Sequence, residues 1–154
     1  MEISSRERYP SSALSNFYPH PFVIDEVPCA SMEGFLQSLK FENPEVQVQV
    51  CGLVGRAAKQ RGRNKPWWRR QVLYWKGVAY ARDSDEYQAL LNRVYTALAQ
   101  NAGFRKALLA THQAVLKHSI GGTDTHRTVL TRQEFCSRLT KIREQLHKGE
   151  EVAL

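Results

Sequence analysis

Glu33, Gln37 and Lys40 stand four and three residues apart in the segment SMEGFLQSLKF, a spacing that puts all three on one stripe of a helix. A carboxylate and an amine on one stripe are ingredients of acid–base or nucleophilic chemistry. Glu33 can stabilise an adjacent cation, activate water or deliver a proton, depending on its pKa. Lys40 can bind an anion, or become a nucleophile if burial lowers its pKa. Each has an ordinary explanation too, since the helix dipole favours glutamate in a first turn and an exposed lysine needs no special role. Asn16 has amide groups able to bind hydroxyls or a base edge, yet asparagine is also a common turn residue. His118 can transfer a proton, as histidine side chains do near neutral pH, or simply hold a strand end.

The charge is unevenly spread. The 154 residues carry a formal net charge of +7 and a sequence pI near 9.5, a balance that favours an anionic partner. Residues 46–82 contain no Asp or Glu, but hold Arg56, Lys59, Arg61, Arg63, Lys65, Arg69, Arg70, Lys76 and Arg82. Lys59, Arg61 and Arg63 lie in a glycine-containing segment where lysine and arginine can grip a pyrophosphate. Trp67, Trp68, Tyr74 and Trp75 interleave with Arg69 and Arg70, the mixture that stacks on bases while neutralising phosphates. Core burial of Trp75 and solvated arginines are the plainer alternative.

These residues need elements to position them. PFVIDEVPCA (21–30) reads as a hairpin turning at Asp25-Glu26, with Pro28 marking an edge strand. Ser31 is the expected N-cap of the following helix, whose Met32, Phe35, Leu36 and Leu39 face the core. Asn43-Pro44 breaks and restarts the chain, and EVQVQVCGL, despite its alternating valines, is assigned to helix. Gly52, Gly55 and Gly62 loosen the next segment, and NKPWWRR is expected to be irregular. Asp83 and Glu86 form an acidic capping signal for EYQALLNRVYTALAQ, GFRKALLA is a shorter helix, and Thr131 with Glu134 is a capping box before Phe135, Leu139, Ile142 and Leu146. VLKHSI reads as a strand or helix end before the polar loop GGTDTHRT.

The expectation is therefore one α+β domain over residues 1–154, mainly helical, with a small antiparallel sheet or hairpin near the N-terminus. Its core spans about residues 14–147 and is followed by a short tail. With 42% hydrophobic and 24% charged residues, the composition is that of a globular protein and excludes disordered or fibrous classes. No apolar run reaches the roughly 20 residues needed to span a bilayer, and MEISSRERYP is charged where an export signal is apolar. Cys29, Cys51 and Cys136 are odd in number and widely spaced, which argues against a zinc site or a disulfide framework. A reducing cytoplasm is the expected location.

The ordered residues resemble the YbiA-like proteins, also called the NADAR superfamily. Leu14-Ser15-Asn16-Phe17 precedes the hairpin, and residues 31–41 resemble that family's S-E-x-x-x-Q-x-x-K-F helix. Ala57-Ala58-Lys59, Trp75 and Leu108-Leu109-Ala110-Thr111 come next. His118-Ser119-Ile120-Gly121, Thr128-Val129-Leu130-Thr131 and Glu134-Phe135-Cys136 complete the set, which spans roughly residues 14–146. The resemblance implies an N-glycosidase that hydrolyses a ribosyl–base bond, removing ADP-ribose from a modified guanine in nucleic acid or nucleotide. Cleavage of phosphorylated riboflavin-pathway intermediates is the alternative, and a binding module for ADP-ribose or nucleic acid, without turnover, belongs to another class. No metal or other cofactor is implied.

On that resemblance Glu33 falls on the motif glutamate and acts at the ribosyl carbon, with Lys40 as a second catalytic candidate able to form a Schiff base with the opened sugar. Asn16, Phe17, Lys59, Arg61, Arg63, Trp75, His118 and Asp124 are the expected substrate-binding residues. The partner is an ADP-ribosylated nucleotide or nucleic acid, met by the basic block from Arg56 to Arg70. Some family members carry an aromatic-Gly-Asp-Gly loop where this chain has Gly121-Gly122-Thr123-Asp124-Thr125, a departure that bears on substrate identity more than on reaction type.

Overall fold

The first hairpin forms where its apolar runs predict it. Strands β1 (Phe22–Ile24) and β2 (Val27–Cys29) pair antiparallel, with Ile24 opposite Val27. Asp25 and Glu26 make the turn at φ 48° and 68°, the mirror-image conformation whose twist suits a two-residue hairpin. In the computed structural model, which describes residues 1–154, Ser31 then caps helix α1 (Met32–Ser38), accepting from the Gly34 N–H at 3.1 Å. Met32, Phe35, Leu36 and Leu39 are all buried.

Helix α2 (Pro44–Cys51) begins at Pro44 under an Asn43 cap. Those two start signals prevail over the alternating valines, so Val50 is buried and Val48 exposed. The end of α2 and the residues after it press against α1 at Gly34, where a Cβ would meet the carbonyl oxygens of Leu53 at 2.6 Å and Val50 at 2.9 Å. Backbone oxygens cannot rotate away, so overpacking here must shift a helix. Gly34→Ala is expected to destabilise the protein by about 1–3 kcal/mol, lowering Tm by roughly 3–10 °C in a thermal melt.

The stretch expected to be loose is instead helix α3 (Gly55–Gly62). Its glycines serve packing and entry: Gly55 starts the helix at φ 53°, a conformation natural to glycine, and Gly62 lies against Gln37. NKPWWRR is irregular apart from a 3-10 turn at Trp67–Arg69. A second hairpin, β3 (Val72–Trp75) with β4 (Val78–Ala81), comes next without having been anticipated. Its turn, Lys76-Gly77, takes φ values of 48° and 83°.

Helix α4 (Asp85–Leu98) is capped by Ser84 rather than by the Asp83 signal, because the Ser84 hydroxyl is the group that accepts the Tyr87 N–H, at 3.1 Å. Asp85 and Glu86 instead occupy its first turn, where the dipole favours acids. Helix α5 (Ala102–Leu109) and helix α6 (Arg132–His147) complete the chain, and α6 carries the expected Thr131–Glu134 capping box. The apolar faces of α1, α4, α5 and α6 and the inward residues of both hairpins share one buried cluster. The six helices and two separate two-stranded sheets form an α+β fold. No helix is long and apolar enough to cross a membrane.

Both ends are tied in. Within VLKHSI only Lys117 forms a bridge, parallel with Glu2, and the Ile3 N–H donates to the Lys117 carbonyl at 2.7 Å. At the other end the tail folds back: Val152 is buried, and Ala153 exchanges two 3.0 Å hydrogen bonds with the Gln145 side chain.

Candidate active site

Segments from both ends and the middle of the chain converge on a cleft of about 610 Å³ whose wall includes the inner stripe of α1. Glu33 and Gln37 of α1, and Lys40 in the turn just after it, all line the cleft. Burial raises the Glu33 carboxyl above its ordinary value of 4.5, against the opposing pull of a Gln37 hydrogen bond and the charges of Lys59, Lys40 and His118. The Gln37 amide donates to Glu33 Oε1 at 2.9 Å. A carboxamide suits this place, because it donates to a carboxylate and, turned over, accepts from a carboxyl group. Burial lowers the Lys40 amine below its usual value, helped by Lys59 and resisted by Glu33. Lys40 Nζ reaches only the Gly62 carbonyl, at a long 3.5 Å.

The Gln37 amide is positioned from behind by Gly62. A Cβ there would lie 1.9 Å from Gln37 Oε1 and 2.9 Å from its Cδ. Gly62→Ala must therefore push the amide off Glu33 while adding a good helix former to α3. The expected result is a cooperative melt in which the Glu33 carboxyl, deprived of the hydrogen bond that lowers its pKa, titrates still higher, read by NMR of labelled glutamate.

Asn16 is held at two points: its carbonyl accepts the Glu33 N–H at 2.9 Å, and its Oδ1 accepts from the Tyr95 hydroxyl at 3.0 Å. Burial keeps Tyr95 protonated far above the normal phenol range, so it is a permanent donor and the Asn16 Nδ2 remains free to donate. Phe17 lies beside it, with Lys59 Nζ 5.9 Å from its ring centre. His118 Nδ1 bonds the Ile3 carbonyl at 2.8 Å. A carbonyl only accepts, so Nδ1 is the donor in this bond. Phe135 packs edge-on to that ring at 5.1 Å, and Gly121 approaches so closely that a Cβ would sit 2.5 Å from His118 Cδ2.

The cleft thus gathers Asn16, Phe17, Glu33, Lys40, Lys59 and His118. Four other expected residues lie elsewhere. Trp75 is buried on the inward face of β3, packed on Phe35 at 4.8 Å and donating from Nε1 to Asp25 Oδ2 at 2.8 Å. Strand alternation turns it into the core. Arg61 is about 200° round α3 from Lys59 and stacks on Phe41 at 4.5 Å. Arg63 is the exposed C-cap of that helix. Asp124 is exposed and accepts the His126 N–H at 2.9 Å, closing a local Asx turn of its own loop.

Sequence reasoning missed Arg6 and Arg127, which join the cleft wall from positions far apart in the chain. No window of the sequence connects them. Trp67, read only as one of an aromatic group, is a mostly buried wall of the cleft beside Lys59. Lys40, Lys59, Arg6 and Arg127 in its lining suit the cleft to an anionic, nucleotide-sized ligand. No group of three His, Cys, Asp or Glu side chains is arranged to hold a metal ion.

Known proteins share this architecture. The backbone resembles the NMR structure of the E. coli protein YbiA, with a TM-score of 0.62 and 21% identity over 97% of this chain and 85% of that one. That likeness is one of fold. A 17.1 kDa protein from the Gp30–rIII intergenic region of Enterobacteria phage T4 is 44% identical over 149 residues, covering 95% of this chain and 98% of that protein. The family described as bacteriophage protein GP30.3 matches residues 8–144. With its YbiA-like fold, the chain belongs to the bacteriophage GP30.3 family.

Proposed function

We propose that the protein is an N-glycosidase that hydrolyses a ribosyl–base bond, releasing ADP-ribose from a modified guanine in a nucleotide or nucleic acid. The observation that carries this reading is Glu33: a carboxyl raised by burial, held by Gln37 and surrounded by cations in a cleft of nucleotide size. As the C1′–N bond breaks, its electron pair leaves with the base and positive charge develops on the sugar. The ionised Glu33 draws a proton from water, whose oxygen bonds to C1′. A carboxyl of raised pKa can then return that proton to the departing nitrogen, so the hydroxyl and the proton of one water end on sugar and base. Lys59, Arg6 and Arg127 are assigned to the phosphates, and the Asn16 amide to the ribose or base edge.

The depressed pKa of Lys40 supports a second route within the same reaction. A neutral amine there can attack C1′ as the C1′–N bond breaks and its electron pair leaves with the base, which takes up the amine's proton; ring opening then gives an imine that water hydrolyses, freeing Lys40 and the sugar.

Incubation with ADP-ribosylated guanosine, read by mass spectrometry, tests the reading. Free ADP-ribose and guanosine are expected, and borohydride present during turnover should trap a sugar adduct on Lys40 if the covalent route operates. Unchanged substrate across ADP-ribosylated nucleosides and oligonucleotides, with binding retained, would identify a binding module instead.

A further inference from the structure

Most of the cations in the acid-free stretch 46–82 lie on the outer surface rather than in the cleft. Of the eight residues of α3 only Ala58 and Gly62 are buried. Arg56, Arg61, Arg63, Lys65, Arg69 and Arg70 are all exposed. Every ion pair in the protein involves Arg82, Arg93, Arg127 or His126, so none of these six has a carboxylate partner. Arg61 and Lys65 even share the Phe41 ring, at 4.5 and 4.8 Å. Concentrating like charges in this way costs self-repulsion that an approaching polyanion relieves.

An aromatic platform accompanies the charge. Trp68 is 51% exposed, with the Arg69 guanidinium 5.4 Å from its ring. Its neighbour Trp67 points the other way and forms part of the cleft wall, as does Lys59 of α3. The outer surface therefore meets the cleft at two places.

We propose that α3 and the 67–70 turn form a track for single-stranded nucleic acid, which delivers one nucleotide of the strand into the cleft. Cations spaced along a surface track the phosphates, and an exposed indole takes the face of a base, which only an unpaired strand offers. Binding by the track is independent of the chemistry, whereas delivery to the cleft rests on the glycosidase reading above.

Fluorescence anisotropy with an unmodified single-stranded DNA oligonucleotide tests the track. The wild type should bind with an affinity that falls steeply with salt. The triple variant Arg63→Ser, Arg69→Ser, Arg70→Ser should reduce the log–log salt slope by about 2, roughly 0.7 for each phosphate no longer neutralised. Trp68→Ala should weaken binding roughly 5- to 100-fold with the slope retained, and Glu33→Gln should bind as the wild type does. Both track variants should turn over ADP-ribosylated guanosine normally and show a raised KM on an ADP-ribosylated oligonucleotide.

Three results would overturn the track. One is oligonucleotide binding that the triple variant leaves intact. Another is affinity for vesicles of acidic phospholipid but not for the oligonucleotide. The third is equal binding of duplex with no effect of Trp68→Ala. If the track variants lose binding but no protein form releases ADP-ribose, the track stands and the glycosidase reading fails.

Discussion

Glu33→Gln is expected to lower kcat on an ADP-ribosylated base by about 10²–10⁴-fold while raising thermal stability. The two effects have one cause. Burial holds the folded-state carboxyl above its ordinary 4.5, so the folded protein binds this proton more tightly than the unfolded chain does. The resulting stability is fully present below the ordinary value and is lost as pH rises through the folded value. A neutral glutamine keeps the Gln37 hydrogen bond and never incurs that loss. Melts of wild type and variant should coincide in acid and diverge as pH rises, with the variant the more stable. The wild-type kcat/KM should fall on the acid side with a midpoint above 4.5, because the attack proposed above needs the ionised form. Wild-type turnover by Glu33→Gln would remove the mechanism, whatever the melts show. Such an opposition between stability and activity is common at sites that strain a functional group.

The largest stability loss is expected from Arg82→Met. The Arg82 guanidinium is 1% exposed and grips both oxygens of Glu134, at 2.7 and 3.2 Å. Its Nε also donates to the Thr128 carbonyl at 2.9 Å, so one side chain joins β4, the start of α6 and the loop that borders the cleft. Methionine fills the space but leaves Glu134 without its cation. Breaking a buried pair from one side costs about 3–5 kcal/mol, a fall in Tm of roughly 6–20 °C at this size. Burial pushes the Glu134 carboxyl up, yet Arg82, the Thr131 N–H and Gln88 together bring it below its ordinary 4.5. That stability is present above the ordinary value and is lost as pH falls through the folded one. The deficit of Arg82→Met should therefore be largest near neutrality and shrink below about pH 4.5. A deficit that is constant with pH would mean that Arg82 acts through packing alone. Because Thr128 and Val129 line the cleft, the folded fraction of this variant should also bind substrate more weakly.

The sequence by itself determined the local elements that carry strong, short-range signals. Ser31 and Thr131 cap helices where their hydroxyls predict, Pro44 restarts the chain as the first residue of α2, and the i, i+3, i+4, i+7 pattern of Met32, Phe35, Leu36 and Leu39 placed α1 against the core. The shared stripe of Glu33, Gln37 and Lys40 was legible for the same reason, since a helix fixes which neighbours share a face. Residues whose role depends on a partner far along the chain were not legible. Lys59 and Arg61, two positions apart, looked like one phosphate-binding group, but the turn of α3 puts one at the cleft and the other on Phe41. Trp75 looked like a substrate contact until the second hairpin faced it toward Phe35 and Asp25. Arg6 and Arg127 share the cleft wall although they lie far apart in the sequence, and pairing of the N-terminal segment with residues 117–119 holds Arg6 on that side of the molecule. Glu33 itself shows the division most clearly. Its helix and its stripe are fixed by nearest neighbours along the chain, whereas its raised pKa is a property of the tertiary structure, created by the segments that bury it.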